Sequence, residues 1–168
     1  MLVILEGVDG SGKTTLASKL ENLGFTTIRV PRSANLNNYQ WRRILEFSNE
    51  ANVVLDRSWI TDIVYTIENP VEHEPWPISL QEIASFVDGA LLIHCDSDSA
   101  FENAVARGED KVNTIKRHNR IRDLYNDIIV MISAYCPTCK TIEYDYDDES
   151  AYAYVEESIK ERLKEYGI

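Results

Sequence analysis

The chain has 168 residues, 44% hydrophobic and 27% charged, a composition that predicts one ordinary globular domain over 1–168. A folded chain of this size hides roughly 70% of the surface its unfolded form exposes, which excludes a small scaffold dependent on disulfides or structural metal. Seventeen Lys and Arg against 28 Asp and Glu leave a formal charge of −11 and a sequence pI near 4.7. That is the wrong sign for gripping long nucleic acid or an anionic membrane, although a local basic pocket can still take a small phosphate. No stretch approaches 18 apolar residues, and Met1-Leu2-Val3-Ile4-Leu5-Glu6 lacks the basic start of a leader, so the expectation is a cytoplasmic protein. Its expected partners are small molecules, with a homodimer left open.

Short apolar runs alternate with longer helical patterns, without repeat or low-complexity linker, which is the α/β signature. Strands are expected at 2–6, 26–30, 52–56, 90–95 and 141–144. All five are continuously apolar or β-branched at their centres, as parallel strands covered on both faces are. A helix over 14–23 carries Leu16, Leu20 and Leu23 at helical spacing, and Gly24 stops it. Further helices are expected at about 39–47 and 60–67, then at 79–86 with Ser79 as N-cap and Glu82 completing a capping box. The remaining helices are expected at about 97–107, 112–134 and 149–166.

Gly7-Val8-Asp9-Gly10-Ser11-Gly12-Lys13-Thr14 matches G-x-x-x-x-G-K-[ST] without a gap. The match lies between an apolar strand and an amphipathic helix, the setting that this loop's mechanism requires. Glycines at 7, 10 and 12 let successive backbone N–H groups point inward as a nest for phosphate, and the helix adds its positive dipole end. Asp9, Gly10, Ser11, Gly12, Lys13, Thr14 and Thr15 are therefore the candidate ATP-binding residues, with Lys13 reaching the β- and γ-phosphates and Thr14 a ligand for Mg²⁺.

Val53-Val54-Leu55-Asp56-Arg57-Ser58 is a strand ending in an acid and a cation. Asp56 then sits at the carboxyl edge of the sheet beside the phosphate loop, as a second Mg²⁺ ligand, and Arg57 faces an acceptor phosphate. A purely structural Asp–Arg pair is the competing reading. From 107 to 122 an otherwise acidic chain gathers Arg107, Lys111, Lys116, Arg117, Arg120 and Arg122. Phosphoryl transfer uses such cations to cover the charge of the moving group; a solvated helix face paired to acids such as Asp123 is the alternative. The acidic run Asp145, Asp147, Asp148 and Glu149 reads as a solvated turn entering the last helix, or as a flank to a bound base. Cys136-Pro137-Thr138-Cys139 is a lone C-x-x-C without a second ligand pair, hence loop cysteines, and the three histidines show no ligand spacing.

These segments resemble the thymidylate kinase branch of the phosphate-loop nucleoside monophosphate kinases. Glu6 through Thr15 is similar to that family's E-G-x-[DE]-G-[AS]-G-K-[ST]-T loop, and Asp56-Arg57 to its D-R-[YH] signature. Ala106-Arg107-Gly108-Glu109-Asp110, with Arg122 and Tyr125 downstream, is similar to its lid segment and the R-x-x-Y that follows. The resemblance implies a three-layer fold with a five-stranded parallel sheet of order 2-3-1-4-5, helices on both faces, and a lid at about 105–122. It implies ATP as donor, Mg²⁺, and phosphorylation of a deoxynucleoside monophosphate, with dTMP to dTDP leading. By the same resemblance, Asp9 contacts the acceptor sugar and Arg57 binds the acceptor phosphate. With Gly10 following the loop acid, the catalytic arginine comes from the lid: Arg107, with Arg117 in reserve. The catalytic set is thus Lys13, Arg57, Arg107 and Asp9.

The likeness weakens at Arg29-Val30-Pro31-Arg32-Ser33, where the family has R-E-P-G-G. Arg32 then joins Asp9 and Arg57 in acceptor binding, while Trp59 and Tyr65 either pack against the acceptor base or belong to the core. A short, divergent segment before the third strand fits a reduced, for instance viral, enzyme. Ser58 to Tyr65, following Asp56-Arg57, also looks like the E-R-S-x-x-S-D motif of deoxynucleoside kinases, which use a Glu beside the proline as base toward a hydroxyl. Here Val30 and Arg32 flank Pro31, and neither accepts a proton. That chemistry favours a phosphate acceptor over a nucleoside. Deoxynucleoside kinase, kinase of a hydroxymethylated base in DNA, and non-catalytic NTP-binding switch stay open as rivals.

Overall fold

The computed structural model describes residues 1–31, 36, 38–70, 80–108, 114–165 and 167. Arg32, Ser79 and lid residues 109–113 fall outside them, as does the capping box expected from Ser79. The chain runs β1 (Leu2–Glu6), α1 (Lys13–Glu21), β2 (Thr26–Arg29), α2 (Asn38–Glu50), β3 (Val53–Asp56), α3 (Trp59–Glu68), α4 (Leu80–Val87), β4 (Leu91–Asp96), α5 (Ala100–Ala106), α6 (Ile115–Tyr135), β5 (Lys140–Asp145) and α7 (Ala151–Glu165). All strand pairs are parallel and the sheet order is β2-β3-β1-β4-β5, as the resemblance implied.

Alternation along each strand divides the core into two layers. Ile4, Leu55 and Leu92 face α2, α3, α4 and α6, meeting Trp41, Trp59, Ile60, Tyr125 and Ile129. Val3, Leu5, Val54, Leu91 and Ile93 face α1 and α7, meeting Leu16, Leu20, Val155 and Ile159. The central strands β1, β3 and β4 are buried almost throughout, but β2 and β5 are half exposed. Coverage on both faces therefore holds for three strands, not five. An edge strand has a neighbour on one side only, and here the helices do not wrap past it.

In this register the carboxyl ends of β1, β3 and β4 stand side by side: Leu5 beside Asp56, Glu6 beside His94. The chain leaves β1 for β2 and β3 on one side and then crosses from β3 to β4 and β5 on the other, so a crevice opens above the carboxyl end of β1. Among the described residues no helix is long and apolar enough to cross a membrane.

Candidate active site

Between Glu6 and α1 the backbone turns through Gly7, Gly10 and Gly12, with φ of +143°, +89° and +84°, and this conformation directs consecutive N–H groups inward. At Gly10 the demand is also steric. A Cβ there would stand 1.9 Å from the carbonyl oxygen of Ala100, at the start of α5. Over Gly12 lies the Tyr146 ring, from the turn between β5 and α7, so close that a Cβ would fall 2.4 Å from it. Lys13 opens α1 yet is only 5% exposed. Its ammonium donates to the Gly7 carbonyl at 2.7 Å and the Val8 carbonyl at 2.5 Å, with Ser11 Oγ a longer partner at 3.3 Å. Burial first, then the Arg57 cation, lowers its pKa. Thr14 and Thr15 present exposed positions on the first turn of the same helix.

Asp56 ends β3 and reaches the loop: Thr14 Oγ1 donates to its Oδ2 at 2.9 Å. Arg29 Nε stands 3.9 Å from the same oxygen. The next residue, Arg57, donates through Nη2 to Asp9 Oδ1 at 2.6 Å. Burial opposes this guanidinium's charge, but the summed attraction of Asp9, Tyr125, Tyr65 and Asp56 outweighs it and raises the pKa. Asp9 of the loop, Arg57 just after β3, and the Thr14–Asp56 pair are thus gathered at one end of the sheet. Tyr65, on α3, is buried within electrostatic reach of Arg57.

Beneath them lies a group to which sequence reasoning gave no role. Glu6 is wholly buried. Its Oε1 accepts from the Ser58 N–H and the Ser58 hydroxyl, each at 2.6 Å, and its Oε2 accepts from Thr61 Oγ1 at 2.7 Å. Thr61 Oγ1 in turn lies 2.9 Å from the Tyr125 hydroxyl. Burial pushes the Glu6 carboxyl up to about 7, although the Ser58 and Thr61 hydrogen bonds and Lys13 pull the other way. The available signal was an ionisable residue closing an apolar strand that a sheet would bury on both sides.

Other expected site residues lie elsewhere. Trp59 is fully buried, edge-on to Trp41 and tilted against Phe86 with ring centroids 5.4 Å apart in each pair, so it is core and leaves no surface to an acceptor base. Arg107 caps α5 from an exposed position, with Nε donating to the Asn103 carbonyl at 3.2 Å. Arg117 makes a two-pronged pair with Glu68, at 2.9 and 2.7 Å, joining the start of α6 to the end of α3. Arg122 bonds Asp96 at 2.7 Å and Asp98 at 3.3 Å. The acids that answer these cations are therefore Glu68, Asp96 and Asp98, distant in sequence, rather than the neighbouring Asp123.

Within the acidic run, Asp147 accepts from the Ser97 and Ser99 hydroxyls at 2.6 and 2.7 Å and from the Ser99 N–H at 3.1 Å. These bonds lower its pKa and tie the β5–α7 turn to the β4–α5 turn. Cys136 and Cys139 are free, buried thiols in the turn before β5. Burial raises the pKa of each, Cys139 to about 11, which argues against a reactive thiolate. His94 is a buried strand residue and His118 packs edge-on to Phe101. Among the described residues no cluster of three or more His, Cys, Asp or Glu could hold a metal.

No protein-family model matches the chain, and no curated protein sequence matches it. Solved structures do. The YorR protein of Bacillus subtilis, in complex with phosphorylated GDP, superposes with a TM-score of 0.74 at 20% identity, over 100% of this chain and 99% of that one. Deoxyadenosine kinase from M. mycoides with bound dCTP gives 0.63 at 13% identity, over 96% and 100% of the two chains. The fold is that of the phosphate-loop nucleotide kinases. Thymidylate kinase from Candida albicans shares this nucleotide-kinase fold, with a TM-score of 0.60 at 16% identity over 96% and 92% of the two chains.

Proposed function

We propose that the protein transfers the γ-phosphate of ATP to a deoxynucleoside monophosphate, with dTMP the leading acceptor. The observation that carries this reading is the Arg57–Asp9 pair beside the phosphate loop, 2.6 Å long and partly buried. A monophosphate acceptor arrives already ionised and needs a cation, whereas an alcohol needs a base. Arg57 supplies the cation. The buried Glu6 carboxylate is enclosed by Ser58 and Thr61, so it does not serve as a base for a hydroxyl acceptor.

Lys13 exchanges the Gly7 and Val8 carbonyls for β- and γ-phosphate oxygens as the donor enters the loop, and its buried charge then meets an anion. Arg57 releases Asp9 to bind the acceptor phosphate, and Asp9 turns to the acceptor sugar. Thr14 Oγ1 and Asp56 Oδ2 are hard oxygen donors already in contact, and two protein oxygens completed by phosphates and water suit Mg²⁺, so these residues would hold it. When bound, that ion neutralises charge on the donor phosphates. An acceptor phosphate oxygen attacks the γ-phosphorus, the bond to the ADP oxygen breaks, and no covalent enzyme intermediate forms. Arg107 is the lid arginine that covers the transferring group; Arg117 is engaged by Glu68.

The reading makes the site a meeting place for two anionic nucleotides. A thymidine–adenosine analogue joined through a chain of phosphates should bind by calorimetry far more tightly than ATP or dTMP alone. An affinity no better than that of ATP rejects the acceptor half of the site. A deoxynucleoside kinase is the second reading, favoured by the likeness to deoxyadenosine kinase; for that enzyme a nucleoside, not its monophosphate, would give product.

A further inference from the structure

Arg57 is the one non-glycine residue among those described whose backbone lies in the left-handed region, with φ of +77°. Side chains other than glycine resist that conformation, and it persists only where the surroundings over-determine it. The cause is visible in the chain path. Asp56 is still paired in the sheet, Arg57 N–H donates to the Leu5 carbonyl at 3.2 Å, and Ser58 is already the N-cap of α3, its Oγ accepting from Ile60 N–H at 3.2 Å. Strand becomes helix within a single residue, and that residue carries the cation assigned to the acceptor.

Glu6 stands immediately after Leu5 on β1 and grips the far side of this turn. One of its oxygens takes both the backbone N–H and the hydroxyl of Ser58; the other takes Thr61, one turn further along α3. Thr61 donates its hydroxyl hydrogen to Glu6 and lies 2.9 Å from the Tyr125 hydroxyl, which extends the grip to α6. Burying a carboxylate this completely is costly, and an apolar side chain of similar size would avoid the cost. What the carboxylate supplies is direction, since it fixes Ser58 and Thr61 relative to β1 and leaves Arg57 no route to relax.

We propose that Glu6 is a positioning residue for acceptor binding: its hydrogen bonds to Ser58 and Thr61 hold Arg57 in the left-handed conformation that aims the guanidinium at Asp9 and the acceptor side of the phosphate loop. The proposal rests on the acceptor role given to Arg57 above. It assigns no contact between Glu6 and either nucleotide.

The test uses the full chain with Glu6→Leu, Glu6→Gln and Thr61→Val. Glu6→Leu should raise the acceptor KM by roughly tenfold or more, the scale of one misdirected charge-assisted hydrogen bond, with affinity for a non-hydrolysable ATP analogue within about twofold. Glu6→Gln, which keeps an acceptor oxygen for Ser58, should recover most of that loss. Thr61→Val removes half the grip without changing side-chain shape and should shift the acceptor KM in the same direction by a smaller factor. It also keeps the proposal testable if Glu6→Leu does not fold. Amide hydrogen exchange at Ser58, which needs no substrate, should be slow in the wild type and accelerate in Glu6→Leu and Thr61→Val. An unchanged acceptor KM in the folded variants, or equal losses for donor and acceptor, overturns the positioning role and leaves Glu6 merely structural. Wild-type protein that binds no deoxynucleoside monophosphate overturns the proposed function instead. In that case slow Ser58 exchange still establishes the grip, and fast exchange removes it too.

Discussion

Replacing Arg57 by alanine and, separately, by glycine divides its two roles. Both changes delete the same ion pair with Asp9, so that loss cancels when the variants are compared with each other. What differs is the backbone. At φ of +77° alanine retains a left-handed penalty of about 1–2 kcal/mol that glycine does not feel. Glycine gives back about 0.5–1 kcal/mol through the greater freedom of its unfolded chain. Arg57→Gly should therefore be the more stable of the two by about 0.5–1 kcal/mol, read as a higher urea midpoint at equal slope. In catalysis the variants should be alike, because each lacks the guanidinium. Losing a charge-assisted contact of about 1.5–3 kcal/mol lowers kcat/KM for the acceptor by about 10- to 100-fold, while an ATP analogue binds nearly as before. A glycine variant no more stable than the alanine one would refute the strained-turn reasoning. Unchanged acceptor kinetics, or lost donor binding, would refute the role given to the side chain.

Further expectations concern Glu6, the phosphate loop and the lid. Glu6 titrates at about 7 in the fold against an ordinary 4.5, so the folded state holds its proton more tightly than the unfolded chain does. Its contribution is fully favourable below about pH 4.5, declines as pH rises toward 7 and is constant above, a span of about 3 kcal/mol. Urea unfolding at pH 5, 6 and 7.5 should show that decline in the wild type and a flatter profile in Glu6→Gln; an identical slope in both contradicts the burial argument. The half-buried Asp62, raised to about 6 by burial, adds a smaller slope of the same sign that survives in the variant. Gly10→Ala should weaken ATP-analogue binding by about tenfold or more, since its Cβ meets the Ala100 carbonyl; unchanged affinity would mean that α5 yields freely. Arg107→Ala should lower kcat by about 10³ or more with little change in urea midpoint. Arg117→Ala should instead destabilise by about 1–3 kcal/mol, because it strands the partly buried Glu68 carboxylate; the reverse pattern exchanges the two roles.

The sheet was legible because its strands are written as apolar runs bounded by turn residues. Val53 to Asp56 and Leu91 to Asp96 are buried on both faces, and such runs have few other uses. The half-exposed β2 and β5 read the same way, since edge position depends on topology rather than on local pattern. The phosphate loop was legible because its glycines, lysine and threonine stand at fixed spacing in one segment. The partners of Arg117 and Arg122 were not. Glu68 and Asp96 lie 49 and 26 residues from them, and local charge pattern pointed to neighbouring acids such as Asp123. Trp59 follows the same logic: an aromatic just after the strand-end Asp56-Arg57 is compatible with either face of a helix, and only packing against Trp41 and Phe86 decides. Glu6 was visible as a letter of a motif, but its function depends on Ser58 and Thr61, brought within reach by the pairing of β1 with β3.

The account stands most directly on which molecule receives the phosphate. Incubation with ATP and Mg²⁺, resolved by chromatography of products, should be run across the deoxynucleoside monophosphates, dGMP included because YorR was solved with a guanine nucleotide. The parent nucleosides and a hydroxymethylated duplex complete the panel. The account predicts ADP together with a deoxynucleoside diphosphate, dTDP foremost, and no product from nucleosides or duplex. Phosphorylation of nucleosides alone, or ADP released with no acceptor modified, would contradict it.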